Sequence, residues 1–399
     1  MRIVLVSETF TESMGYTENL LPRYLAKLGH DVHVVSSDLQ ASYYYGNDLY
    51  GPAIPPVVQP GVFPVDNFTL HRLPHRLVGG YPWLIGLIRR VHDLKPDIIQ
   101  AQGSASLFSL ESAAAAIVTG ARLFTAAHQH ASVMGAVLTS SRFSLVRLRS
   151  SLRRALPGRM VSAVAETCYA TTVDCAEVAV NYYGVPSSKV TIAPLGCDTD
   201  TFWPVADEAA HRDRMKLRGE LGFARDDIVC VYSGRFSPAK NPACLARALQ
   251  LLQARGKPFR GLFIGGGPQM REIEETPGCR VHPFVPTAEL APMYRAADIG
   301  VWPCEDSMSM IDAGACGLPL VVSDRMRATE RIRGNGFSYR QGDPVALSRV
   351  LERLEARQIR ETMGQVGATR IAESYSWNRI AADRVDDYRF SLARLARNV

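Results

Sequence analysis

With 399 residues, 47% hydrophobic and 21% charged side chains and a formal charge of +6, the chain is too long for one ordinary core and too well balanced for a disordered or fibrous protein. That charge is too small to argue for nucleic acid, no recognition motif accompanies it, and no apolar run approaches the roughly 20 residues of a membrane span. Eight cysteines without a CxxC pair exclude a zinc ribbon, and the opening apolar run is too short for a signal peptide, so the expectation is a soluble cytoplasmic protein with reduced thiols.

The chain opens with a short apolar strand, Arg2–Ser7, a polar loop containing Gly15, a helix near Glu18–Leu28 and a second strand, Val32–Ser36. Leu20, Leu21, Tyr24, Leu25 and Leu28 recur at helical spacing, which makes this a βαβ unit. The loop after the first strand lacks G-x-G-x-x-G, which argues against a dinucleotide-dependent dehydrogenase. Gln40–Pro64, rich in Tyr, Gly and Pro, reads as a long loop, either a lid or an idle insertion. Asp97–Ala101 and Arg122–Ala126 are further buried strands, the second running into His128 and His130. His128 suits a hydrogen bond to a bound ligand, with a plain loop histidine as the alternative. No acidic residue occurs between Glu111 and Glu166, and within that gap Arg142–Arg159 interleaves six arginines with apolar residues. Such a segment suits either an anionic membrane surface or a solvated helix face. Val190–Pro204 contains Asp198-Thr199-Asp200, read as a turn rather than a metal-binding pair, and the charged stretch Val205–Gly222 reads as a linker.

From Ile228–Ser233 a second βα repetition begins. Arg235 and Lys240 lie on the loop between this strand and a helix through about Gln253, where two cations and a helix N-terminus can hold a phosphate. Arg260–Ile264 enters the glycine run Gly265–Gly267, followed by a strand at Val281–Phe284 and a helix at Glu289–Ala297. The strand Asp298–Trp302 then enters a turn with Glu305, Asp306, Ser307, Met308 and Ser309. A short helix, Asp312–Gly317, follows, and then the strand Leu320–Ser323. That turn brings carboxylates and a helix N-terminus to the carboxyl end of a strand, where ligands of open α/β sheets sit; Ser309 with Asp312 is also a capping-box pattern. From Asp343 the chain is helical, ending in an amphipathic helix, Trp377–Arg397, with no evident chemistry of its own.

In this order the motifs resemble the retaining GT-B glycosyltransferases of family 4 (glycosyl transferases group 1) over almost the whole chain. The stretch Lys189–Pro204 (KVTIAPLGCDTDTFWP) is the most specific match; SGRFSPAKNP, FIGGGP and EDSMSMIDAGACGLPLVVSD are similar to further signature elements, and Gly15-Tyr16-Thr17-Glu18 to the family's G-G-x-E. The resemblance implies two Rossmann-like doubly wound domains facing a central cleft. An acceptor domain would span 1–203, a donor domain 204–376, and a final helix of about 377–399 would pack back on the first. It implies sugar transfer from a UDP- or GDP-linked donor to a glycan, lipid-linked or small-molecule acceptor, with retained anomeric configuration and without metal or cofactor. Arg235 and Lys240 would hold the diphosphate, Asp312 the ribose and Glu305 the donor sugar. The amides of Ser307–Ser309, together with Gly267, would approach the donor; His128 would lie near the sugar and Gly15 beside the diphosphate. The segment 142–159 would attach the protein peripherally to the inner face of the plasma membrane, in keeping with a polysaccharide-building enzyme. Tyr16 stands where the family has a second Gly, Leu195 where it has Asn and Asp312 where it has Glu, and Glu305 is offset by one residue. Two other functions fit the same motifs: a glycoside phosphorylase, and a non-catalytic sugar-nucleotide-binding protein.

Overall fold

The structure is a computed structural model that describes residues 1–12, 14–42, 55–134, 141, 144–304, 307–326 and 329–398. The described residues form two compact units, one made of 1–42, 55–195 and 377–398, the other of 196–376. The first ends at Leu195, ahead of the 203/204 boundary drawn from the sequence.

The strands of the first unit are β1 (Arg2–Ser7), β2 (Asp31–Ser37), β3 (Gly61–Val65), β4 (Phe68–Leu73), β7 (Ile98–Ala101), β8 (Arg122–Ala127), β9 (Thr167–Ala170) and β10 (Val190–Ile192). They form one sheet in the order β10-β9-β8-β7-β1-β2-β4-β3, parallel except where β3 meets β4. Two further strands, β5 (His75–Val78) and β6 (Tyr81–Leu84), make a separate antiparallel pair. Alternate side chains of β1 enter different cores. Ile3 and Leu5 pack with α1 (Thr17–Lys27) and the last helix, α14 (Trp377–Asn398). Val4 and Val6 pack with α2 (Leu87–Leu94) and α3 (Leu107–Thr119). A parallel strand covered on both faces reads as a continuous apolar run, which is why RIVLVS was legible.

Gln40–Pro64 is not wholly a loop. Its end lies in β3, an edge strand whose mostly exposed side chains and Pro64 disguise it; residues 43–54 lie outside the described residues.

The second unit is a six-stranded parallel sheet in the order β13-β12-β11-β14-β15-β16. Its strands are β11 (Ile228–Arg235), β12 (Phe259–Gly266), β13 (Cys279–His282), β14 (Ile299–Trp302), β15 (Leu320–Ser323) and β16 (Gly336–Tyr339). The order reverses between β11 and β14, the switch point at which doubly wound sheets bind ligands. The stretch read as a linker is instead the helix α7 (Glu208–Glu220), with Asp207 accepting from the Ala210 amide at 2.8 Å as its N-cap. It has no apolar stripe to announce it. Its one buried side chain is Arg218, 2% exposed, which donates to Asp298 Oδ2 at 2.9 Å. Arg214, on the same helix, reaches Asp298 Oδ1 at 2.5 Å.

Candidate functional site

In the second unit the loops after β11, β12 and β14, three adjacent strands, emerge side by side at the carboxyl edge of the sheet. Arg235 is the last residue of β11, and Lys240 lies on the loop two residues before α8 (Pro242–Gln253) begins. Asn241 caps α8 in the left-handed conformation, φ 50°, and its amide bonds Ser237 O at 2.7 Å, which closes the loop tightly. Two glycines are required by contact. A Cβ on Gly265, at φ +137°, would lie 2.1 Å from Gly234 O, and one on Gly267, at φ +140°, would lie 2.8 Å from Phe236 O. The Gly267 loop is thereby drawn against the Arg235–Phe236 backbone.

On the other side of the switch point, Ser307, Met308 and Ser309 lead into α11 (Ser309–Ala315), which starts three residues earlier than Asp312. Met308 is its N-cap and makes no side-chain cap bond, so the capping-box reading does not hold. Ser309 Oγ lies 2.7 Å from Ser307 Oγ. Asp312 sits in the first turn beside Cys197 and Asp198, and burial pushes its pKa up to about 7 against the bond from Cys197. Tyr294, buried behind it, shares a 2.6 Å hydrogen bond with Ser233 Oγ. Glu305 and Asp306 lie outside the described residues. Asp198 is committed to its turn: it accepts from the Asp200 amide at 3.2 Å and from Thr201 Oγ1 at 2.9 Å. Among the described residues, no group of three or more His, Cys, Asp or Glu is placed to hold a metal.

In the first unit, Gly15 lies on the loop after β1, just before α1, and His128 follows the end of β8. Burial lowers the His128 pKa to about 4, with the charges of Arg384 and His130 adding to it, so the ring is neutral at physiological pH. His130 is turned elsewhere, its Nδ1 3.2 Å from Asp174 Oδ2, so the two histidines do not act as a pair. Glu18, in the first turn of α1, is likewise pushed up to about 7 by burial.

The family described as Glycosyltransferase Family 4 matches residues 19–201, and the one described as Glycosyl transferases group 1 matches residues 227–357. The chain belongs to the family 4, group 1 glycosyltransferases. Among its relatives, the D-inositol 3-phosphate glycosyltransferase of Xylanimonas cellulosilytica is 31% identical over 251 residues, covering 59% of each chain. That of Geodermatophilus obscurus is 28% identical over 264 residues, 61% of this chain and 56% of the relative. The chain thus spans under two thirds of the length of these relatives. Among solved structures, Anabaena HepE in complex with UDP superposes with a TM-score of 0.71 at 16% identity, covering 97% of this chain and 99% of that one. Sucrose-phosphate synthase from Thermosynechococcus elongatus does so with a TM-score of 0.66 at 18% identity, covering 99% and 100%. The fold is GT-B, with two Rossmann-like units built on parallel sheets.

The fold thus places Arg235, Lys240, Gly267, Ser307–Ser309 and Asp312 at one edge of the second unit, and Gly15 and His128 at the carboxyl edge of the first. Sequence reasoning missed the shell around Asp312. Cys197, Ser233 and Tyr294 are scattered along the chain and carry no spacing signal. It also missed the polar groups around His128, one of which lies on the final helix.

Proposed function

We propose that this chain is a retaining, metal-independent glycosyltransferase that takes its sugar from a nucleotide diphosphate donor. The observation that carries the reading is the switch point of the second unit. One flanking loop offers Arg235 and Lys240 beside a helix N-terminus, and the other offers the amides of Ser307–Ser309 and the Asp312 carboxyl. Two cations at that edge suit a diphosphate, and a carboxyl in the first turn of α11 suits a ribose hydroxyl. The UDP in the HepE complex makes a uridine nucleotide the first donor to try, ahead of a guanosine one. The names of the inositol 3-phosphate relatives make a small phosphorylated polyol the first acceptor to try, beside a glycan or a lipid-linked one. Under this reading the span 1–195 with α14 is the acceptor domain, and His128, neutral in the fold, hydrogen-bonds the transferred sugar.

A thermal-shift panel with UDP, GDP, ADP and inorganic phosphate tests the donor site on the wild type and Lys240→Ala. One nucleotide is expected to raise Tm in the wild type by mass action and to lose that effect in the variant. A rise with phosphate but with no nucleotide would favour the phosphorylase reading, and silence toward every nucleotide would remove the donor site.

The same reading gives the first unit an anionic membrane surface as partner. Residues 145–164 form a continuous helical run: α4 (Leu145–Ser150), a π-helical turn (Ser151–Ala155) and α5 (Leu156–Val164). Leu145, Leu148, Leu152, Leu156 and Met160 recur every three or four residues along it, and each is more than half exposed. Arg153 and Arg159 are exposed beside them, while Arg154 turns inward to Tyr183 Oη at 2.8 Å. An apolar stripe edged by arginines complements anionic lipid. Arg142 and Phe143 lie outside the described residues. Co-sedimentation with anionic vesicles is expected for the wild type and is expected to be lost in Leu148→Asp/Leu152→Asp. Equal binding by both, or equal binding to neutral vesicles, would count against the surface.

A further inference from the structure

The separate antiparallel pair of β5 and β6 is a hairpin closed by Gly79 and Gly80, both left-handed at φ 60° and φ 85°, as a tight two-residue turn requires. Its register sets Arg76 opposite Trp83 and Val78 opposite Tyr81, so these four side chains share one face. The other face is fastened to the unit. Leu84 is fully buried in the core with Leu87 and Val91 of α2, its amide donates to Glu111 Oε2 at 3.3 Å, and the Ile85 amide donates to Pro74 O at 2.9 Å. Among the described residues nothing covers the first face. Val78, Tyr81 and Trp83 are 41–46% exposed, and Arg76 is exposed beside them. A ribbon that turns valine, tyrosine and tryptophan together toward water marks a contact with something outside the chain.

Charge and continuity say what that is. No Asp or Glu occurs between Asp66 and Asp93, a stretch that carries four arginines, of which Arg76 and Arg89 are exposed. The hairpin also adjoins the helical run of residues 145–164. Arg154, which turns inward from that run to Tyr183, hydrogen-bonds the Tyr81 hydroxyl as well, so the two exposed apolar surfaces meet. Tyrosine and tryptophan suit the headgroup level of a bilayer, since each has an apolar body and a polar tip. Arginines at the margin, with no carboxylate among them, complement anionic lipid. A second copy of the chain fits this face less well, because it would bring arginine to arginine with no acidic group between.

We propose that the hairpin of residues 75–84 is a wedge that enters an anionic bilayer, with Tyr81 and Trp83 at the headgroup level and Arg76 against the lipid phosphates. This contact rests on the reading of residues 145–164 as a surface for anionic lipid and gives that surface a penetrating element. The helical run lies along the bilayer, and the hairpin stands into it. The hairpin leaves the sheet at the carboxyl end of β4, the edge that also carries Gly15 and His128. A bilayer held in this way lies beside that edge of the first unit.

Quenching of tryptophan fluorescence by brominated acyl chains tests it, with the full chain added to vesicles of equal parts phosphatidylglycerol and phosphatidylcholine. Quenching is expected in the wild type and is expected to fall to a low background in Trp83→Phe, which still binds. Trp302 and Trp377 are 2% exposed, so Trp203 sets that background. Val78→Ser/Trp83→Ser is expected to weaken vesicle binding by about tenfold or more and to leave the lipid-free Tm nearly unchanged, since both side chains are exposed. If the wild type binds the vesicles but Trp83→Phe is quenched as strongly, or the double variant binds as tightly, the wedge is overturned and the helical surface stands. A wild type that ignores anionic vesicles, or binds neutral ones equally, overturns both. A dimer in sedimentation equilibrium that the double variant abolishes assigns the face to a second copy and likewise overturns the wedge.

Discussion

On the proposed donor reading, Arg235→Ala is expected to lower kcat for sugar transfer by about 10²–10³-fold, the usual consequence of deleting one preorganised group that meets developing charge. Arg235 ends β11, a central strand of the second unit whose pairing with β12 runs through Gly234↔Gly265 and Arg235↔Gly266. The backbone that carries the guanidinium is therefore held by the ladder and by the Phe236 amide bonding Gly266 O at 2.7 Å. Because that backbone is paired, the substitution removes charge without freeing the loop. Charge on a departing diphosphate grows in the transition state, so the loss should fall on kcat more than on KM. Arg235→Lys should recover part of it, since a lysine restores the charge but not the planar fork. Steady-state kinetics with the nucleotide sugar selected by thermal shift decides the matter, with circular dichroism to check that the variant is folded. A kcat within threefold of the wild type would show that Arg235 does not face the reacting phosphate.

The second large effect concerns stability. Asp298→Ala is expected to cost the second unit about 3–5 kcal/mol, the range for stripping one partner from a buried ion pair. Asp298 holds Arg214 at 2.5 Å and Arg218 at 2.9 Å, and its Oδ2 accepts from the Val229 amide at 2.8 Å, so one carboxylate joins α7 to the start of β11. Its removal strands Arg218, which is almost fully enclosed. A double variant, Asp298→Leu with Arg218→Met, should regain part of the loss, because the enclosed charge at 218 is gone while Arg214, 23% exposed, still loses its carboxylate. Guanidinium denaturation followed by tryptophan fluorescence measures both. A loss below about 1 kcal/mol for Asp298→Ala would mean that water reaches the arginines after all.

The contrast between α7 and β1 explains what was legible beforehand. β1 is buried on both faces, so its apolar run announced it. α7 is fastened by ions, so it looked like a linker. α11 was placed too late because Asp312 drew attention as a helix start, although Met310 and Ile311 are already buried within the helix. The glycines at 265 and 267 were legible as a close approach, but the atoms they approach, Gly234 O and Phe236 O, belong to the end of β11 and the residue after it, some thirty residues earlier. Arg384 escaped notice for a related reason. A charge on an amphipathic helix is assigned to water by default, although the spacing 377, 384, 388 already sets it on the face of Trp377 and Tyr388 that the fold buries. Polar chemistry assembled from distant segments leaves no periodic trace, whereas apolar packing does.

The return of α14 to the first unit also bears on how the molecule is made. Trp377, Ile380, Ala381, Val385 and Tyr388 belong to the same core as Ile3, Leu21 and Phe124. A ribosome delivers all of 196–376 before it delivers that helix. The second unit can therefore finish folding while the first waits with an open flank, exposing Leu20, Leu21 and Tyr24 of α1 until the closing helix arrives. The half of the protein that is begun first is completed last, and in that interval it is the half in need of a chaperone.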